Sequence, residues 1–388
     1  MIPAYFRAFA TRTALGRDLQ TQVARLKTPT PELLALPETV ALECEGETLN
    51  VPVHLAGPDP LISVRERFYD LIDSVIEDAL NEAELSSAQK LRTGLFFGSS
   101  SGDVGLIEDH YATDLRERPD AVPLYWRCDI DNVGQYIRQR FKLGPIGYSI
   151  NTACASSANA VMAAQNELAS GEIDHALVVG LETFNKTTAL GFQSLDLLTR
   201  TSMRPFDARR DGLILGEGCA AAVLSTESSG GPQFKVLGGS CVTDTYSISA
   251  SNPNGESIAA VIRDALIDAG IEPGDIGAIK AHGTASLLND EGESAGILEV
   301  FGEDPPPIAA LKPYIGHTFG ASGLCEFALL AGSVKDGFWP GVPGVGGARD
   351  ELGIALNQSS IDAPDRPILL NHFGFGGVNT CLVVSYGE

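Results

Sequence analysis

Short, fully apolar runs alternating with helix-favouring stretches are what most constrain the fold of this 388-residue chain. Leu95-Phe-Phe-Gly98, Ala176-Leu-Val-Val-Gly180, Cys219 to Leu224, Ile276 to Ala281, Pro307 to Leu311, Ile368 to Asn371 and Cys381 to Ser385 are of strand length. Their lack of polar alternation suits strands buried on both faces. Between them lie helical patterns: Leu71 to Leu85, Ala155 to Leu168 with Gly171 as a stop, Ile258 to Ala269 closed by Gly270, and Ala321 to Val334. This alternation predicts an α/β protein with a mainly parallel sheet covered on both faces.

The pattern occurs twice. The turn-forming cluster Glu227-Ser-Ser-Gly-Gly-Pro232 divides the chain into residues 1–230 and 231–388. In the first part a short strand, Tyr148 to Thr152, leads through Cys154 into a small-residue helix. In the second, Pro307 to Leu311 leads through a loop, Lys312 to Gly320, into another such helix, and that loop holds His317. Two related halves would place both helix starts at one central site.

The formal charge of −23 excludes nucleic acid as the main ligand, because phosphate binding needs a basic face. No apolar stretch reaches the ~18 residues that span a bilayer, and Met1 to Gly16 lacks the apolar core of a signal peptide. Seven cysteines at 44, 128, 154, 219, 241, 325 and 381 form no CxxC, so neither a disulfide framework nor a zinc site is expected. A reducing, cytoplasmic location is the expectation.

Four segments carry the chemistry. In Asn151-Thr-Ala-Cys-Ala-Ser-Ser157, Cys154 stands between a strand and a helix start. There the helix dipole favours a thiolate, and free N–H groups can hold an oxyanion. By position alone an inert core thiol is an equally good reading. Ala281-His-Gly-Thr-Ala-Ser286 puts His282 at the carboxyl end of a strand, where open α/β sheets bind ligands. In the segment from Leu311 to Glu326, Lys312 and His317 flank a turn, and a buried Lys312 would need Glu293 or Glu326 as partner. Asn371-His-Phe-Gly-Phe-Gly-Gly-Val-Asn379 could set an aromatic on a glycine hinge, although for the bare motif a glycine-rich β-turn is the better reading. His54, His110, His175 and His372 have no comparable setting and read as structural or surface residues.

Together these segments, with Arg204-Pro-Phe-Asp-Ala-Arg-Arg-Asp-Gly212, resemble the elongating β-ketoacyl-acyl carrier protein synthases of types I and II, which are thiolase-fold condensing enzymes. The resemblance runs from about Leu95 to the C-terminus. It implies a layered αβαβα architecture of two pseudo-symmetric halves. It also implies an acyltransferase in which Cys154 carries an acyl chain and His282 and His317 promote decarboxylation of a malonyl thioester. Backbone N–H groups of Cys154 and Phe375 would form an oxyanion hole, with Phe375 gating the pocket. Lys312, paired with Glu326 and near Asp290 and Glu293, would set the field around the histidines. Thr284 and Ser286 would contact a phosphopantetheine arm, with Phe373 alongside, and Phe192 would line the acyl tunnel. No permanently bound cofactor or metal is implied; the substrates ride on the phosphopantetheine of an acyl carrier protein.

The sequence departs from the family at Ala285, Ser286 and Asn289, in the short stretch Leu195 to Met203 and in the opening Tyr5 to Gly16. These features look more like synthases of secondary polyketide or polyene pathways than of fatty-acid synthesis. The family is dimeric, so a homodimer or a heterodimer with a related chain is expected. Alternatives are a chain-length-factor partner, which commonly lacks the cysteine, and a coenzyme A-dependent thiolase that does not decarboxylate. Carrier proteins are acidic, so docking calls for a local basic patch, for which Arg65, Arg67 and Arg204 are candidates.

Overall fold

The structure, a computed structural model, describes residues 3–44, 46–57, 62–120, 129–345 and 352–388; Cys128 lies outside them. Ten strands join in one sheet: β1 (Ala4–Thr13), β2 (Thr93–Gly98), β3 (Gly147–Ile150), β4 (His175–Glu182), β5 (Gly218–Ser225), β6 (Gln233–Thr243), β7 (Ala278–Lys280), β8 (Ile308–Ala309), β9 (Ile368–Gly374) and β10 (Val378–Gly387). Their spatial order is β8-β7-β9-β10-β6-β1-β5-β4-β2-β3. From each edge to the centre, the first five strands and the last five follow the same sequence: third, second, fourth, fifth, first. The halves meet where Ala4 on β1 lies opposite Val236 on β6.

The sheet is mixed, which corrects the expectation of a mainly parallel one. In each half the outer three strands are parallel (β3, β2 and β4; β8, β7 and β9), as crossover helices require. The inner strands run antiparallel, and so does the central β1–β6 pair. β9 and β10 form a hairpin across Gly374–Gly377, a connection too short for a parallel pair.

Strand alternation divides the core into layers. On β2, Phe97 packs with Leu71, Ile72 and Val75 of α1 (Val64–Glu82), whereas Phe96 belongs to the cluster containing Ala158 and Val161 of α2 (Ser156–Ser170). On β6, a Cβ at Gly238 would meet Ala269 of α3 (Glu256–Ala269), and one at Gly239 would meet Met162 of α2. Successive residues thus face different layers. α2 and α5 (Ser322–Lys335) lie in the middle and contact strands of both halves, and α4 (Leu287–Phe301) packs beside α3.

Small residues make the middle layer possible. A Cβ on Gly323 would come within 2.6 Å of the Ala158 nitrogen, and the Leu324 N–H donates to Ser157 Oγ at 3.0 Å. The start of α5 therefore lies against the start of α2, the convergence that the repeated pattern predicts. α2 ends at Gly171 and α3 at Gly270, both left-handed as expected of glycine caps. The segment Lys312 to Gly320 is more ordered than a loop: Lys312–Ile315 forms a helical turn, and a second turn spans Phe319–Ala321.

Candidate active site

Cys154 follows β3 and precedes α2. The residue before it, Ala153, has φ of +50°, a left-handed backbone that alanine rarely adopts. This sharp turn aims the thiol into a cavity of about 240 Å³ lined also by His282, His317, Thr284, Ser286, Phe192, Phe373 and Phe375. The cavity thus gathers side chains from both halves. His317 Nε2 is 3.1 Å from Cys154 Sγ, and the His282 and His317 ring centroids are 5.4 Å apart. Backbone N–H groups of Phe375 and of Cys154 itself point at the sulfur.

Burial pushes the Cys154 thiol up to about 12, against the opposing pull of the Lys312 ammonium and the Phe375 N–H. The thiolate expected from the helix dipole is therefore not the resting form: removal from water outweighs the partial charge of a helix end. Both histidines are held well below their usual range, first by burial and then by the Lys312 charge, so they are neutral.

The tautomer of His282 follows from its partner. Lys312 Nζ lies 3.3 Å from His282 Nδ1 and donates to the His282 carbonyl at 2.6 Å. An ammonium can only donate, so Nδ1 accepts and the ring proton is on Nε2. His317 Nδ1 lies 3.1 Å from Ser322 Oγ, and a hydroxyl can accept from the ring or donate to it, so Nε2 is free to take a proton from Cys154 or to donate one.

Of the two carboxylates open to Lys312, Glu326 is the partner, at 2.7 Å with both side chains fully buried. Glu293 instead accepts from the N–H groups of His282 and Gly283 at 2.7 and 2.8 Å. Asp290 accepts from those of Phe206 and Ala285 at 2.8 and 3.2 Å. Both acids hold the loop that carries His282, where Gly283 and Ala285 have φ of +50° and +62°. Thr284 and Ser286 share a hydroxyl contact of 3.0 Å on the cavity wall. Phe192 stacks on Phe375 at 5.3 Å and meets Phe319 at 5.1 Å, while Phe373 lies 5.6 Å from the His282 ring.

The three arginines do not gather at this site, and among the described residues no lysine or arginine lines the cavity. Arg67 pairs with the buried Glu217 through both its terminal nitrogens, at 2.6 and 2.7 Å, so its charge is engaged within the fold. Glu217 is fully enclosed, and its charge takes up the guanidinium. Arg65 is exposed and lies over Tyr69, and Arg204 is partly buried and donates to Ser202.

Sequence reasoning missed three members of the surrounding network. Lys280 Nζ donates to Glu326 at 2.9 Å and lies 3.1 Å from His372 Nδ1, all fully buried. His372 is therefore neither a surface residue nor remote from the site. A lysine inside an apolar strand run, two places before His282, was the available signal. Glu182 is also buried, and accepts from Ser100, Ser101 and the Gly320 N–H, tying β4 to the turn beyond His317.

Comparison with known proteins gives the same family twice. The N-terminal domain model of β-ketoacyl synthase matches residues 65–229 and the C-terminal domain model residues 234–345. A 3-oxoacyl-(acyl-carrier-protein) synthase 2 of Staphylococcus aureus is 28% identical over 367 residues, covering 89% of this chain and 90% of the relative. A ketosynthase in complex with its chain length factor, from Xenorhabdus doucetiae, superposes with a TM-score of 0.82 at 25% identity, over 98% and 97% of the two chains. A β-ketoacyl synthase from Burkholderia phymatum gives 0.81 at 25% identity over 99% of each. Among the described residues no helix is long and apolar enough to cross a membrane. Its fold is thiolase-like, and the chain belongs to the β-ketoacyl synthase family.

Proposed function

We propose that this protein is a β-ketoacyl synthase that condenses a Cys154-bound acyl chain with a malonyl thioester, both delivered by an acyl carrier protein. The observation that carries it is the union, in one cavity, of the Cys154 thiol with two neutral histidines, one held as an Nε2–H donor by Lys312.

Each step has a group to perform it. Cys154 sulfur attacks the acyl thioester while His317 takes the thiol proton; the acyl–sulfur bond to the carrier breaks and that proton passes to the departing pantetheine thiol. N–H groups of Cys154 and Phe375 hold the carbonyl oxygen as it gains charge. Malonyl thioester then enters, with Thr284 and Ser286 available to the amides of its arm. The bond to the carboxylate breaks, CO2 leaves, and the enolate oxygen receives hydrogen bonds from His282 and His317. The new carbanion attacks the acyl carbonyl and expels Cys154 as thiolate, which regains a proton. Lys312 and Glu326 act by holding His282; Asp290 and Glu293 act by holding its loop.

A catalytic role is favoured over that of a chain-length-factor partner by the complete cysteine–histidine set, and decarboxylation over thiolase chemistry by the pair of neutral histidines. Halves of residues 1–230 and 231–388 would each supply part of the site. Pairing with a second related chain is supported by relatives solved as ketosynthase–chain length factor complexes. Six free cysteines among the described residues suit a cytoplasmic setting. Incubation with acyl- and malonyl-carrier protein, with mass spectrometry of both protein and product, tests the reading: it requires an acyl adduct on Cys154 and CO2 release coupled to chain extension.

A further inference from the structure

Lys280 and His372 take no part in the steps above, yet they are built into the charge network behind them. Lys280 ends β7, two residues before His282, and His372 lies on β9 beside Phe373. Glu326 accepts from Lys280 through one oxygen at 2.9 Å and from Lys312 through the other at 2.7 Å. The third contact of Lys280, 3.1 Å to His372 Nδ1, makes that nitrogen an acceptor. A carboxylate divided between two ammonium groups neutralises neither completely. Lys312 thereby keeps charge and N–H bonds for His282, 2.6 Å away at the carbonyl and 3.3 Å away at Nδ1.

We infer that Lys280, seated against His372, is a positioning residue for decarboxylation: it holds Glu326 from the far side, so that Lys312 stays turned toward His282 Nδ1 and the Nε2 proton faces the substrate. The inference rests on the decarboxylative reading of the site. If Lys280 lost its charge, Glu326 would fall wholly to Lys312, and the bond to His282 Nδ1 would weaken.

The clamp has a pH range. Lys280 is faced by Glu326 on α5, Lys312 on the helical turn, Glu293 on α4 and His372 on β9. Burial brings it down to about 8, with Lys312 lowering it further and Glu326 and Glu293 opposing. His372 stays neutral, held well below its usual range by burial and by the two lysines. The clamp is therefore present below about pH 8 and lost above it.

The test is CO2 release from malonyl-pantetheine, followed between about pH 6 and 10 for the intact protein, Lys280→Met and His372→Leu. The intact protein should show an alkaline limb in kcat with a midpoint at about 8. Lys280→Met should lower kcat roughly tenfold at neutral pH, leave KM within about twofold, and lack that limb. His372→Leu removes an acceptor from the ammonium, so its limb should move to lower pH. A Lys280→Met enzyme with unchanged kcat and limb overturns the inference. Should that variant not fold, an unmoved limb in His372→Leu overturns it equally. If the intact protein releases no CO2 at any pH, the decarboxylative reading falls and the clamp with it; an active protein with unaltered variants removes the clamp alone.

Discussion

His317 Nε2 lies 3.1 Å from Cys154 Sγ, a contact between residues 163 positions apart. It gives the buried thiol a proton acceptor where the surrounding field alone leaves it protonated. Burial raises Cys154 to about 12, so its thiolate fraction should climb tenfold per pH unit across the neutral and mildly alkaline range. Alkylation by iodoacetamide should follow that slope, with no plateau near pH 8. A plateau there would show a thiolate already formed at rest.

Replacing Cys154 with Ala should separate the two half-reactions. Condensation should drop by at least about 10³-fold, because among the described residues Cys154 is the one thiol that lines the cavity, and hydroxyls such as those of Thr284 and Ser286 are far weaker nucleophiles. CO2 release from the malonyl thioester should persist, since both histidines remain. Intact-mass measurement should find the acyl adduct on the parent protein and none on the variant; an adduct on both would move the nucleophile elsewhere.

The histidines should be distinguishable. Either His282→Ala or His317→Ala should cost roughly 10²–10³ in malonyl decarboxylation, the scale of one lost donor to a developing oxyanion. Acylation of Cys154 should slow in His317→Ala only, because that ring alone is hydrogen-bonded to the sulfur. Single-turnover acylation kinetics decide this, and equal slowing in both variants would contradict the assigned roles.

Glu326→Leu strips two fully buried ammonium groups of their shared counter-charge. The expected cost is about 3–5 kcal/mol of folding stability, read from urea unfolding. A loss below about 1 kcal/mol would mean that the lysines find other partners or shed their protons.

Asp290 gives stability a pH slope. Burial raises its carboxyl from 3.8 to about 7 in the fold, although the Phe206 N–H and the Asn289 amide oppose this. Below about pH 4 the group is protonated in both folded and unfolded chains, and its contribution is complete. Between about 4 and 7 the unfolded chain releases the proton first, so stability falls as pH rises and levels off beyond 7. Unfolding curves of Asp290→Asn, compared with the parent across that window, should lack this component of the slope.

Much of the fold was legible because burial and periodicity are local properties. Ala176 to Gly180 reads as a buried strand because every residue of β4 is enclosed, and Gly171 ends a helix because a left-handed cap suits a residue without Cβ. Strand direction was not legible: the parallel outer strands and antiparallel inner ones have equally apolar sequences. Lys280 and His372 stayed hidden because each is ordinary until β7, β9 and α5 bring them together at Glu326.

By itself the sequence determined the two-fold repeat of strand, reactive residue and small-residue helix, and the residue types from which a condensing site can be made. Those depend on neighbours along the chain. Only the tertiary structure decided that Glu326 rather than Glu293 holds Lys312, that Arg67 belongs to Glu217, and that the Cys154 thiol rests protonated. Each of these depends on which charges meet across the packed layers and how much water is excluded, and neither quantity is written in any one segment.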